Sequence, residues 1–128
     1  MLNTKFLFAI AILWTTLVAT LSIVSIGAIG ESVPIPYKDK YVHFTFYFVF
    51  VSLWFLYFNK LNPNKNSKWK IVIAAILFGI LMEFCQGAFT TTRSPDVYDA
   101  ISNSVGAILG MLFITTIVKN KPNNKISH

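Results

Sequence analysis

The stretch 80–112, ILMEFCQGAFTTTRSPDVYDAISNSVGAILGML, holds most of the polar chemistry of an otherwise apolar chain. At helical spacing, Gly79, Glu83, Gln86 and Gly87 fall on one face of the segment before the connector, and Asp99, Asn103, Gly106 and Gly110 on one face of the segment after it. Arg93 and Asp96 lie between them. A solvated loop requires no such register. Two polar stripes joined by a short charged turn therefore predict a pair of antiparallel helices facing each other across a buried polar site.

Outward from this stretch, the composition sets the environment. With 128 residues, 55% hydrophobic and 12% charged, the chain departs from a soluble domain and predicts a single transmembrane domain over residues 1–128. Four apolar segments, 6–29, 41–58, 71–89 and 100–118, each have 18 to 24 residues. That is enough to cross a hydrocarbon core of about 30 Å. The connectors are short, so the expected fold class is an all-α membrane protein, a four-transmembrane-helix antiparallel bundle. The first segment follows Lys5 and resembles the charged head and apolar core of a signal peptide. A signal core spans only about 7 to 15 residues, so an uncleaved first span is expected. Thr16, Thr20 and Gly27 share one of its faces, a small-residue stripe that predicts helix packing.

The net charge of +6 does not mark a nucleic-acid partner, because its distribution follows topology. Eight basic residues (Lys5, Lys60, Lys65, Lys68, Lys70, Lys119, Lys121 and Lys125) fall on one side of the spans, and Lys38, Lys40 and Arg93 on the other. The positive-inside rule then places both termini in the cytoplasm. All five acidic residues (Glu31, Asp39, Glu83, Asp96 and Asp99) lie on or near the opposite side. The partner so implied is the lipid bilayer; oligomeric state is not encoded in any motif. The single cysteine, Cys85, forms no intramolecular disulfide and reads as a small apolar residue in mid-helix.

The second span opens with Asp39, His43 and Tyr47 at helical spacing, an acid, an imidazole and a phenol on one face. His43 by itself is also compatible with an interfacial position among Tyr41, Phe44, Tyr47 and Phe48. Glu83 is the most expensive residue in the chain, since an acid near a helix centre costs about 2.5 to 3.5 kcal/mol to insert. It needs a proton, a cation or strong donors, and burial would oppose its ionisation while Arg93 or Lys40 would favour it. Arg93 brings a planar fork suited to carboxylate or phosphate, or to an ion pair with Asp96 or Asp99. Ser94, Pro95 and Asp96 resemble a helix start, with Ser94 as N-cap and Pro95 in the first helical position. Gly106 and Gly110 form GxxxG, which permits close helix approach.

Antiparallel threading brings His43, Glu83, Gln86, Asp99 and Asn103 to a common depth near the extracytoplasmic side. The order Asp39-Lys40-x-x-His43-Phe44-x-x-Tyr47, Glu83-x-x-Gln86, Arg93-x-x-Asp96-x-x-Asp99-x-x-x-Asn103-x-x-Gly106-x-x-x-Gly110 resembles the pattern of VanZ-like membrane proteins over residues 33–112. Thr91 and Thr92 stand where that pattern often has Pro-Gly, which alters the connector's shape. The resemblance implies a multi-pass protein of the bacterial cytoplasmic membrane. It also carries an association with resistance to the glycopeptide teicoplanin.

Two mechanisms follow. In the first, the cluster takes the polar head of a lipid or lipid-linked cell-wall component. Glu83, His43 and Asp99 act as acid/base or positioning groups, while Arg93, Asn103, Gln86, Lys40, Asp96 and Tyr47 contact the ligand. Such a site binds, transfers or hydrolyses, and the residues alone leave these open. In the second, Glu83 is the proton or ion station of a small transporter, and a third option is a non-catalytic structural clasp in an assembly protein. His43, Glu83 and the aspartates are residue types that could form a metal site, but the chain carries no ligand-spacing motif, so neither a metal nor another cofactor is expected.

Overall fold

The computed structural model describes residues 3–23, 38–63, 68–89 and 96–119. These hold four helices, α1 (Thr4–Ile23), α2 (Lys38–Leu61), α3 (Lys68–Phe89) and α4 (Val97–Lys119), each long and apolar enough to cross a membrane. The described residues contain no strand. The expected all-α transmembrane architecture is therefore observed, and the protein is a multi-pass membrane protein.

Helices α2 and α4 begin three residues before the expected boundaries, at Lys38 and Val97. Polar residues at a helix end continue the backbone hydrogen bonding after the apolar run has stopped, so hydropathy underestimates the element. Two short polar side chains set helix starts. Asn3 Oδ1 accepts the Phe6 N–H at 2.8 Å, and Asp96 Oδ1 accepts the Tyr98 N–H at 2.8 Å. The cap of α4 is thus Asp96 in place of the expected Ser94; Ser94 and Pro95 lie outside the described residues.

Contacts define the threading. Phe8 meets Tyr57 and the Trp14 indole N–H donates to the Phe46 carbonyl at 2.9 Å, so α1 and α2 run antiparallel. Phe50 stacks on Phe78 with centroids 5.5 Å apart, one step in the antiparallel α2–α3 pairing. Gly106 backs onto Phe44 and Gly110 onto Phe48, so α2 and α4 run parallel and start at the same end. This is the most extensive helix pair. A Cβ on Gly110 would sit 2.6 Å from the Phe48 carbonyl oxygen and 2.9 Å from its Cα, and one on Gly106 would run into the Phe44 backbone. The GxxxG stripe therefore lets two backbones touch, as expected of it.

The interior changes character along the bundle. Val18, Phe50, Val51, Ile71, Val72, Ala75, Ala107, Met111 and Ile114 form an apolar core, while His43, Glu83, Gln86, Asp99 and Asn103 are buried toward the end where α2 and α4 start. Helix α1 packs on α2 and α3 and has no contact with α4 among the described residues. Its buried face is Leu7, Ala11, Val18 and Ser22, while Thr16 and Thr20 are exposed, contrary to the packing expected of that stripe. Their hydroxyls donate to the carbonyls of Ile12 and Thr16 at 2.9 and 2.8 Å, so neither needs a neighbouring helix. Gly27, the third member of that stripe, lies outside the described residues.

Candidate functional site

Three helices supply the polar end. From α2 come Lys40, His43 and Tyr47, each a turn apart; from α3 come Glu83 and Gln86; from α4 come Asp99 and Asn103, with Asp96 at its cap. The two predicted polar stripes are buried as a set: Gly79, Glu83 and Gln86 on α3, and Asp99, Asn103, Gly106 and Gly110 on α4. Gly87, the remaining α3 member, is half-buried. Gly79 has a definite part in this. A Cβ there would lie 3.1 Å from Asn103 Nδ2 and 3.3 Å from the Tyr47 ring, so the missing side chain lets Asn103 and Tyr47 pack against α3.

Lys40 is the centre of the shallower part. Its Nζ donates to Asp39 Oδ2 at 2.8 Å, Asp96 Oδ2 at 2.9 Å and Asp99 Oδ1 at 2.7 Å. An ammonium has three hydrogens, and here each has a carboxylate. The sequence places Lys40 among ligand contacts, whereas in the structure its donors are spent on the protein's own acids. Asp39, which at helical spacing shares a face with His43, turns to Lys40. Asp96, at the membrane-water margin, has its carboxyl held below its ordinary ionisation range, first by Lys40 and then by the Tyr98 amide.

The deeper part has a different balance. His43 Nδ1 is 3.0 Å from Asn103 Oδ1, so the imidazole carries its proton on Nδ1 with this amide orientation. Its Nε2 faces Asp99 Oδ2, 3.6 Å away, beyond hydrogen-bond length. Glu83 is 5% exposed, and its Oε2 accepts the Asp96 N–H at 3.2 Å. Glu83 Oε1, Tyr47 Oη and Asn103 Nδ2 are buried without a hydrogen-bond partner among the described residues. Donor atoms of His43, Glu83 and Asp99 all lie within 4.8 Å of one another. The structure thus brings together every predicted site residue except Arg93, which lies outside the described residues. Cys85, half-buried on α3, is a free thiol, in keeping with the small apolar residue expected.

Sequence reasoning put Gly79 on the polar face without assigning it a packing role, and it did not find the Lys40 clasp. A lysine one residue from an aspartate gives no hint of a second and third partner at the start of another helix. The α1–α2 hydrogen bonds of Trp14 to Phe46 and of Trp54 to Thr15 were also hidden, although indole N–H groups in apolar spans always require an acceptor.

Comparison with known proteins agrees with this architecture. The profile of the VanZ/LLP1 family matches residues 6–119. A protein of Schizosaccharomyces pombe (strain 972 / ATCC 24843), called uncharacterized protein C11E3.10, is 30% identical over 83 residues, covering 65% of this chain and 50% of that protein. The chain thus spans about half the length of this curated relative. No solved structure matches the chain. With four membrane-crossing helices and a family match over nearly its whole length, the chain belongs to the VanZ/LLP1 family.

Proposed function

We propose that this VanZ-like protein sits in the bacterial cytoplasmic membrane with both termini in the cytoplasm, and that its polar end binds or modifies the head of a lipid or lipid-linked cell-envelope component. The observation that supports this most is the depth at which acid/base groups from three helices converge. Asp99 is two residues inside α4, His43 five residues inside α2 and Glu83 six residues from the end of α3. At 1.5 Å per residue these are depths of about 3 to 9 Å, where headgroups meet acyl chains. Glu83, His43 and Asp99 position the head or move a proton on it, with Asn103 holding His43 in one tautomer. Arg93, three residues before Asp96 in the sequence, supplies the planar fork for phosphate or carboxylate. Lys40 acts inside the protein, setting the carboxylates of Asp96 and Asp99.

A proton-coupled or ion-coupled transporter receives less support, because the interior beyond Tyr47 consists of Val51, Ala75, Ala107 and Met111 and offers no further ionisable group among the described residues. A non-catalytic clasp would hold its polar atoms in hydrogen bonds, whereas Glu83 Oε1 and Tyr47 Oη have none among the described residues.

The test is a comparison of membrane lipids and lipid-linked intermediates in wild type, a deletion strain, and deletions complemented with Glu83→Gln or Arg93→Lys at matched protein level. A species that accumulates in the deletion and in both variants is the expected result. An unchanged profile refutes the lipid reading. Teicoplanin sensitivity scored on the same strains connects the chemistry to resistance if it follows the accumulating species.

A further inference from the structure

We propose that His43, Glu83 and Asp99 form a binding site for a divalent transition-metal ion, with zinc the ion best suited to one imidazole and two carboxylates. The inference goes beyond the lipid reading and stands without it. No ligand-spacing motif announces such a site, because its three donors come from three different helices and meet only when α2, α3 and α4 pack.

Three observations converge on it. The first is geometry. The His43 Nε2 to Asp99 Oδ2 separation is 3.6 Å, and all three residues place a donor atom within 4.8 Å of the others. Around a four-coordinate zinc with bonds of about 2.0 to 2.1 Å, neighbouring donors stand about 3.4 Å apart. The His43–Asp99 edge, at 3.6 Å, is close to this spacing, and the other edges, none longer than 4.8 Å, close by small side-chain rotations.

The second is the orphaned chemistry. Glu83 is 95% buried by its 5% exposure, yet Oε1 has no hydrogen-bond partner among the described residues. His43 Nε2 and Asp99 Oδ2 face each other at 3.6 Å, too far apart for a hydrogen bond and at a spacing that lets both ligate one cation.

The third is charge. Lys40 binds Asp99 through Oδ1 and leaves Oδ2 on the His43 side. No ammonium or guanidinium of the described residues bonds Glu83. Of the two buried carboxylates only Asp99 has a lysine partner, so the pair has room for a proton or a further positive charge, and a divalent ion supplies that charge to both at once. Asn103 then serves as the outer partner that fixes the imidazole, the usual support of a metal-bound histidine. Tyr47 Oη and Asn103 Nδ2 are polar atoms able to meet a metal-bound water, which would take the fourth position.

The full chain, purified in detergent without a polyhistidine tag and stripped with chelator, is titrated with Zn2+ alone, and bound metal is counted after gel filtration. His128→Ala is used as background, so that His43 is the sole imidazole. The expected result is one zinc per chain, retained in His128→Ala and in Cys85→Ser. Affinity falls at least tenfold in each of Glu83→Gln, His43→Gln and Asp99→Asn. Cobalt substituted into the same protein should give a spectrum with nitrogen and oxygen ligands that is lost in His43→Gln. Zinc should also raise the melting temperature of the wild type and leave that of Glu83→Gln unmoved, which separates site loss from misfolding. Absence of stoichiometric zinc in the wild type, or zinc retained in the Glu83→Gln/His43→Gln double variant, overturns the proposal. Neither outcome touches the lipid-profile result, which is read in cells from Arg93→Lys as well as Glu83→Gln.

Discussion

Asp99 faces two groups of acids, one with each carboxylate oxygen, and they are balanced differently. On the Oδ1 side, Asp39, Asp96 and Asp99 close around the Lys40 ammonium at 2.7 to 2.9 Å. On the Oδ2 side, His43 stands 3.6 Å from Asp99 with its Nδ1 on Asn103, and Glu83 accepts one long backbone hydrogen bond, with no lysine or arginine of the described residues bonded to Glu83. The shallow group is complete as built. Its lysine has a flexible stem that reaches the membrane margin, where Asp39 and Asp96 remain partly solvated. The deep group is preorganised and left unsatisfied, which is how binding sites store capacity for a ligand at the expense of stability. The difference teaches which half of the cluster holds the bundle together and which half is available to act.

The comparison can be broken outright at the seam beneath both groups. Gly106→Leu would drive a side chain into the Phe44 backbone and force α4 off α2, removing both groups together. The expected outcome is no folded protein accumulating in the membrane, measured by detergent-extracted yield; normal yield would mean the parallel α2–α4 contact is wrong.

The next largest effect isolates the shallow group. Lys40→Met leaves Asp99 buried without its cation and should cost about 2 to 3 kcal/mol, toward the lower edge of values for broken buried pairs because Asp39 and Asp96 are partly solvated. Equilibrium unfolding in detergent and lipid mixtures measures this. Addition of millimolar Ca2+ should recover part of the loss, since three carboxylate oxygens would then face one cation.

A smaller effect sharpens the deep group. Gly79→Ala places a methyl 3.1 Å from Asn103 Nδ2, tighter than ordinary contact, and should cost about 1 kcal/mol while moving His43 through Asn103. The smallest effect is electrostatic. Asp96→Asn keeps a side chain that caps helices well and removes only the charge. Because the folded Asp96 ionises below its ordinary value of 3.8, its contribution is fully present above that value and lost as pH falls through the lower folded value. The stability gap between wild type and Asp96→Asn should therefore be constant from pH 7 to about pH 5 and shrink below about pH 4. A gap independent of pH would remove Lys40 as the cause.

Much of this was legible in the chain because helical spacing is strict. Glu83 and Gln86, and Asp99, Asn103, Gly106 and Gly110, could be assigned to buried faces from their spacing alone, and threading predicted that they would share a depth. The threonines of α1 misled because spacing does not reveal whether a hydroxyl is satisfied by its own helix. GxxxG announced a close approach without its partner, and Phe44 and Phe48 of the parallel helix α2 could not be named from α4. The Lys40 clasp and the unpaired oxygen of Glu83 depend on which carboxylate lies nearest in three dimensions, and no local pattern carries that. The cap fell two residues later than expected, because Ser94 and Asp96 offer the same capping chemistry and packing against Glu83 and Lys40 favours the aspartate.

The central claim, that the deep group is a site held at the expense of stability, is tested most directly by the unfolding midpoint of chelator-treated Glu83→Gln against chelator-treated wild type. Gln keeps an oxygen for the Asp96 N–H and removes the buried carboxylate, so the account predicts a midpoint equal to or above that of the wild type. A midpoint several degrees lower would contradict it and make Glu83 a structural clasp.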